Sequence, residues 1–218
     1  MKTLVIIPGK NEARSIKRVV SAVRAQGWPV LVVDDGSTDL TASEATTAGA
    51  TVLRHVINRG QGAALRTGIR YALKNGYDAT VFFDADGQME PAEIGMMVQK
   101  IEQGYEVVLG SRFAGKTIGI SKMRTIVLKL GLLFMRLSTG LKLTDTHNGF
   151  QAWNRSALER LELCQDRQAY ASEVLYEVSR LKLNYTEVPV TISYITTRPS
   201  QSLFTAFTII WDLLVKRA

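Results

Sequence analysis

One cysteine, Cys164, stands in a chain of 218 residues, so an internal disulfide is excluded. Met1-Lys2-Thr3 leads into only about five apolar residues, too few for a secretory core. Together these predict a reducing, cytoplasmic setting. Two histidines, His55 and His147, are too few for a His-rich zinc site. No apolar run reaches the roughly 20 residues that a membrane-spanning helix needs. The sequence also lacks an RNA-reading aromatic motif, a zinc finger and an Arg-rich tail, which sets nucleic acid aside as a partner. What is present is ordinary for one soluble domain, 46% hydrophobic and 22% charged, and long enough to bury a full core without staples. Cys164 lies in a Leu-rich stretch expected to be helical and reads as packing. Basic residues outnumber acidic ones 27 to 20, a formal +7 that favours phosphorylated metabolites or anionic lipid surfaces.

The first half alternates apolar runs with helical stretches. Strands are predicted over residues 4–7, 30–33, 51–54, 79–83 and 106–109, and helices over about 11–26, 40–48, 62–74 and 91–103, with Pro91 suited to a first turn. Such alternation predicts an α/β fold, a mostly parallel central sheet wound right-handed with helices on both faces. Further on come a long helix over 121–139, a turn at Asn148-Gly149-Phe150, and helices near 156–163 and 172–183. Extended runs at 185–188 and 190–194 and a last helix over about 203–217 complete the chain. No linker, repeat or low-complexity segment interrupts it.

Polar residues gather where the predicted strands end. Asp84-Ala85-Asp86-Gly87-Gln88 follows the apolar run 79–83, and two carboxylates one residue apart repel unless a cation sits between them. Hard cations such as Mg²⁺ or Mn²⁺ favour oxygen ligands, and Gln88 offers a further oxygen. The plain alternative is a solvated acidic turn bent at Gly87. Pro8-Gly9-Lys10-Asn11-Glu12 follows the first strand, Asp34-Asp35-Gly36-Ser37-Thr38-Asp39 the second, and Gly110-Ser111-Arg112 the fifth. In a parallel sheet all four loops face one crevice. Asn11 and Asp39 also suit helix caps, and Gly36 a turn. Asp34 and Asp35 suit hydrogen bonds from a nucleobase and ribose, and Arg112 suits pairing with phosphate.

These motifs, with Asn58-Arg59-Gly60-Gln61-Gly62-Ala63, resemble in order those of family 2 glycosyltransferases, and most of all the dolichyl-phosphate mannose synthase and polyprenyl-phosphate sugar transferase group. The resemblance covers about residues 1–195. It implies a GT-A (Rossmann-like) fold as a single domain over 1–218, with a nucleotide-sugar half over 1–113 and an acceptor- and membrane-facing half over 114–218. It implies a nucleotide-sugar donor, a divalent Mg²⁺ or Mn²⁺ and a polyprenyl phosphate acceptor. By that likeness Pro8, Asn11, Glu12, Asp34, Asp35, Gly62, Asp84 and Arg198 attend the donor, with Glu12 and Asp35 at base and ribose. Asp84, Asp86 and Gln88 hold the metal, and Arg112 joins Asp84 and Asp86 as catalytic, facing a phosphate. Asp145-Thr146-His147-Asn148-Gly149-Phe150-Gln151 is similar to the family's D-x-x-x-G-F-R segment, with Gln151 where Arg is usual. Arg198-Pro199-Ser200-Gln201-Ser202 keeps the Arg and a Ser of its late phosphate-gripping loop.

Lys122, Lys129 and Arg136 recur every seven residues along the 121–139 stretch, and Ile126, Val127, Leu130, Leu133, Phe134 and Leu137 fill much of the rest. Such a basic-edged apolar helix suits the headgroup layer of a membrane or a small membrane-protein partner, as does the 203–217 helix; docking on the sheet or on another subunit is the alternative. The expected reaction is an in-line displacement by the acceptor phosphate at the sugar C1, with inversion. A haloacid-dehalogenase-like phosphohydrolase would use Asp84 as nucleophile and Asp86 as acid, but that class starts with the motif and adds a later acid cluster. A pyrophosphorylase lacks its Gly-rich first loop here. A dinucleotide oxidoreductase fails because Gly60-x-Gly62 is not in the first β-α turn. A non-catalytic nucleotide-sugar-binding subunit is the remaining rival.

Overall fold

The computed structural model describes residues 1–146 and 148–194; His147, Arg198 and the helix expected over 203–217 lie outside them. Among the described residues seven strands form one sheet: β1 (Thr3–Gly9), β2 (Val30–Asp34), β3 (Thr51–Arg54), β4 (Ala79–Phe82), β5 (Val107–Ile118), β6 (Gln151–Asn154) and β7 (Tyr185–Ser193). Their order across the sheet is β3-β2-β1-β4-β6-β5-β7. Only β6 runs antiparallel, pairing Phe82 with Gln151 on one side and Val107 with Trp153 on the other. β5 therefore runs parallel to β4, and the predicted mostly parallel sheet stands.

Among the described residues seven α-helices pack around it: α1 (Ile16–Ala25), α2 (Thr41–Thr47), α3 (Gln61–Lys74), α4 (Ile94–Glu102), α5 (Lys122–Thr139), α6 (Arg155–Arg160) and α7 (Tyr170–Arg180). Two apolar layers result, one on each face of the sheet. Val5 and Ile7 of β1 pack with the α1 stripe Ile16, Val19, Val20 and Val23 in one layer. Leu4 and Ile6 point the other way, toward Ala64, Leu65 and Ile69 of α3. A strand with every residue buried, as β1 has, is what helices on both faces require.

The structure departs from the predicted elements in places that matter for the site. Residues 11–15 form a loop, so α1 starts at Ile16. Gly110-Ser111-Arg112 lies on β5 itself, because β7 keeps pairing with β5 beyond Leu109, through a register irregularity between Ser111 and Lys116. The two extended runs join into β7; it is an edge strand, where Pro189 is tolerated. α6 ends at Arg160, which leaves Cys164 exposed in the loop before α7 and corrects its reading as helical packing. β6 is unpredicted. Its buried Trp153 stacks near Phe82 with ring centroids 6.3 Å apart, and the Trp153 indole N–H donates to Gln151 Oε1 at 3.1 Å.

Candidate active site

The ends of β1, β2 and β4 open onto one cavity of about 760 Å³. Pro8, Lys10, Glu12, Asp35, Asn58, Gln61, Asp84 and Asp86 line it, with Arg167 and Gln168 from the loop before α7. Five of the sequence-predicted side chains thus converge: Pro8, Glu12, Asp35, Asp84 and Asp86.

Asp84 is half-buried at the strand end, and its Oδ1 accepts from Gln61 Nε2 at 3.1 Å. Gly149 presses on its other side: a Cβ there would stand 2.6 Å from Asp84 Oδ2. The Gly of the N-G-F turn is thus a space requirement of the acid. Burial, and then the neighbouring Asp86 charge, raise the Asp84 carboxyl to about 7, against the opposing pull of Arg112 and the Gln61 amide. Burial pushes Asp86 up as well, countered by hydrogen bonds from Gln88 and by the Arg124 guanidinium. Among the described residues no third Asp, Glu, His or Cys joins the pair. Mg²⁺ is commonly held by one or two carboxylates plus substrate phosphates, so a strained acid pair beside an amide fits such an ion. Gln88 is turned with its Nε2 donating to Asp86 Oδ2 at 2.7 Å, so offering its oxygen requires the amide to rotate.

Asp35 is almost saturated. Its Oδ1 accepts from His55 Nδ1 at 2.7 Å and Arg59 N at 3.0 Å, and its Oδ2 from Gly60 N at 2.6 Å. It ties the Asn58-Gly62 loop to the end of β2 while still facing the cavity.

Four predicted site residues are placed elsewhere. Asp34 is fully buried: its Oδ1 accepts from Ser37 N at 3.0 Å and its Oδ2 lies 3.1 Å from Arg54 Nε, so it builds the loop. Asn11 lies in the left-handed region and joins loops, its Oδ1 accepting from Thr38 N at 2.9 Å. Gly62 is buried under the loop before α7 and does not line the cavity. Arg112 is 6% exposed and off the cavity wall, pinned by Asp145 Oδ2 on Nε at 2.7 Å, Tyr194 OH on Nη1 at 2.8 Å and Thr146 O on Nη2 at 3.0 Å. A guanidinium so occupied is a scaffold that acts on Asp84 by its charge. Gln151 is likewise structural, its Nε2 donating to Asn148 O at 2.9 Å.

Sequence reasoning missed three things. Asp145 lay within a recognised segment, yet its partnership with Arg112, 33 residues upstream, is tertiary. Arg124 at the start of α5 stacks on the Tyr194 ring with 4.4 Å from Cζ to centroid and acts electrostatically on Asp86. Arg167 had no motif to announce it.

The raised Asp84 carboxyl sets a pH dependence. A group whose folded pKa exceeds its unfolded value contributes stability below the unfolded value, near 3.8, and loses it as pH rises through about 7. The ligand-free protein is therefore expected to lose stability across that window, by at most about 1.4 kcal/mol per pH unit from this group. Melting curves from pH 4 to 8 on the wild type and Asp84→Asn check it: the variant should show a flatter profile, and identical slopes would refute the assignment.

A doubly wound sheet whose strand ends open on an acidic crevice is the architecture of a GT-A glycosyltransferase. The pattern of glycosyl transferase family 2 matches residues 4–162, and the chain belongs to that family. It is 32% identical to an undecaprenyl-phosphate mannosyltransferase of Micrococcus luteus, over 88% of this chain and 83% of that protein. It is 33% identical to a UDP-N-acetylglucosamine–dolichyl-phosphate N-acetylglucosaminyltransferase of Methanococcus voltae, over 87% of this chain and 84% of that one. Among solved structures it resembles glucosyl-3-phosphoglycerate synthase from Mycobacterium tuberculosis in complex with Mn²⁺ and UDP-glucose. The TM-score is 0.75 at 21% identity, covering 98% of this chain and 76% of that one.

Proposed function

We propose that this chain is an inverting glycosyltransferase moving a sugar from a nucleoside-diphosphate donor to a polyprenyl or dolichyl phosphate. GDP-mannose, UDP-glucose and UDP-N-acetylglucosamine are the candidate donors. The observation that carries the reading is the Asp84–Asp86 pair, two carboxylates raised together where a buried strand opens onto the cavity. The names of the Micrococcus and Methanococcus relatives support the lipid phosphate as acceptor. The Mycobacterium structure, with Mn²⁺ and UDP-glucose bound, supports the donor and the ion.

In this reading Asp84, Asp86 and a rotated Gln88 would hold Mg²⁺ or Mn²⁺, which when bound would neutralise charge on the departing diphosphate. Glu12 and Asp35 face the base and ribose, with Pro8 beside them. Arg124, half-buried against Tyr194 and close to Asp86, is the cation placed for the acceptor phosphate. The acceptor oxygen forms its bond to the sugar C1 as the bond from C1 to the diphosphate breaks on the opposite face. A phosphate monoester is largely ionised near neutral pH, so no strong general base is required. Positioning by the cavity walls does most of the work.

Among the described residues no helix is long and apolar enough to cross a membrane. α5 instead leaves Met123, Ile126, Leu130, Leu133, Phe134 and Leu137 between 37% and 79% exposed, one apolar stripe with Lys122 and Lys129 near it. That face suits peripheral contact with the cytoplasmic leaflet of a bilayer or with a small membrane protein.

The test is product formation from each labelled sugar nucleotide with polyprenyl phosphate in anionic vesicles, and with a short water-soluble prenyl phosphate. Inverted lipid-linked sugar that disappears on chelation is expected. Leu130→Asp with Leu137→Asp should reduce transfer on vesicles and spare the soluble acceptor. Donor and metal binding without product would establish the non-catalytic subunit instead. Release of free phosphate from sugar phosphates without a nucleotide would revive the phosphohydrolase, which family membership disfavours.

A further inference from the structure

The loop over residues 161–169 closes one side of the cavity, and it is held along its backbone. Cys164 N and Gln165 N donate to the two oxygens of Glu173 at 2.8 and 2.9 Å. Ala63 N donates to Asp166 O at 3.2 Å, Arg66 Nη1 donates to Leu163 O at 3.1 Å, and Arg66 pairs with the Asp166 carboxylate. The loop sits directly on the start of α3. A Cβ at Gly60 would stand 2.3 Å from Asp166 O and 2.9 Å from Arg167 Cγ, and one at Gly62 would stand 2.1 Å from Gln165 O. The two glycines of the Asn58-Gly62 motif are thus the seat of a loop about 100 residues downstream.

Arg167 is what this anchorage delivers. It is exposed, it lines the cavity, and among the described residues its guanidinium has no ion pair, hydrogen bond or ring contact. Arg18, at the Gly87 turn, and Arg59 do not line the cavity. Arg112 is pinned by Asp145, and Arg124, stacked on Tyr194, is the one assigned above to the acceptor phosphate. With the Asn58 amide oriented to satisfy both its ends, Lys10 Nζ donates to it at 2.6 Å. The cavity wall meanwhile carries four carboxylates, Glu12, Asp35, Asp84 and Asp86, against Lys10 and Arg167. A phosphate-bearing ligand there needs positive charge that the wall barely supplies.

We infer that Arg167 is a substrate-binding residue that pairs with the diphosphate of the nucleotide donor. This rests on the transferase reading above and adds a residue to it. A planar guanidinium offers phosphate two parallel N–H groups, and a clamped loop reduces the ordering cost of presenting them. Gly60 and Gly62 then serve phosphate binding at one remove, by letting the loop lie close.

Calorimetric titration of Mn²⁺ with UDP, UMP, GDP and GMP into wild type, Arg167→Ala and Arg167→Lys tests this, alongside the KM for the lipid phosphate. For whichever base the wild type prefers, Arg167→Ala should weaken the diphosphate about 10-fold or more and leave the monophosphate unchanged. Arg167→Lys should recover part of the loss, and the acceptor KM should hold. The melting temperature should not move, since the side chain has no partner to lose. A raised acceptor KM with unaltered diphosphate binding would overturn the assignment by moving the contact to the acceptor. Wild-type behaviour of Arg167→Ala in both measurements would overturn it outright while leaving the transferase reading intact. A wild type that binds none of the four nucleotides removes that reading and this residue's role together.

Discussion

Asp84→Asn is expected to abolish sugar transfer and, at pH 8, to raise the melting temperature of the ligand-free protein. Both effects follow from one arrangement. Asp84 is wedged between Gln61 and the Gly149 backbone, with the Asp86 charge beside it and burial pushing its carboxyl up to about 7. Ionising it at pH 8 therefore works against the fold, and a neutral amide of nearly the same shape removes that cost. A gain of about 1–2 kcal/mol is expected, or roughly 2–8 °C in a domain of this size. Transfer should fall at least about 1,000-fold, because the charge that strains the fold is the one that would grip a cation against the leaving diphosphate. Asp86→Asn should lose transfer to a similar degree with a smaller stability gain, since Gln88 and Arg124 already compensate that carboxylate. Differential scanning calorimetry with and without Mn²⁺, read beside single-turnover transfer, checks both. A variant that melts lower and still transfers would remove the acid pair from the chemistry. The opposed signs are the signature of a functional acid, for which activity is kept at the expense of stability.

How much of this was legible depends on where each signal lives. β1 to β4 were readable because four apolar runs each end abruptly in polar residues, and that contrast is local. β6 was not, since Gln151-Ala152-Trp153-Asn154 is four residues long and becomes a strand only by filling the slot between β4 and β5. Asp84, Asp86, Asp35, Glu12 and Pro8 could be placed at one crevice from topology alone, because a parallel sheet sends successive strand ends to one edge. Partners could not be placed. Residue type suggested that Asp34 and Asn11 reach a ligand, but Asp34 Oδ1 and Asn11 Oδ1 accept within 30 residues from the N–H groups of Ser37 and Thr38, and Asp34 Oδ2 faces Arg54. Gly62 was expected to attend the donor, yet the backbone that needs its missing side chain belongs to residue 165. Arg167 sits in a segment whose sequence carries no periodicity to read, so its position is set wholly by contacts with α3 and α7.

Arg112→Ala should cost stability first and activity second, which separates the scaffold seen here from the direct phosphate contact that residue type suggested. Arg112 and Asp145 are both nearly inaccessible, at 6% and 3%, and Arg112 gives Asp145 Oδ2 its backbone N–H at 2.8 Å as well as its Nε–H at 2.7 Å. Truncation leaves the Asp145 carboxylate buried with backbone donors only, from residue 112 and from Thr146. Breaking a buried pair from one side typically costs about 3–5 kcal/mol, which for this chain length lowers the melting temperature by roughly 6–20 °C. Arg112→Ala with Asp145→Ala should cost less than the sum of the single changes, because the second removes the charge the first left stranded. Arg112→Lys should fall between, keeping the charge but losing the fork that reaches Tyr194 and Thr146 at once. A melting temperature within 2 °C of wild type, on the order of the smallest shift that matters, with transfer lost would return Arg112 to the substrate. The surviving activity carries a second mark. Arg112 lowers the Asp84 carboxyl, so its removal lets that group rise further. The acid limb of the pH–rate profile should then move to higher pH in Arg112→Ala, and an unmoved limb would mean that the guanidinium charge does not reach the carboxylate at all.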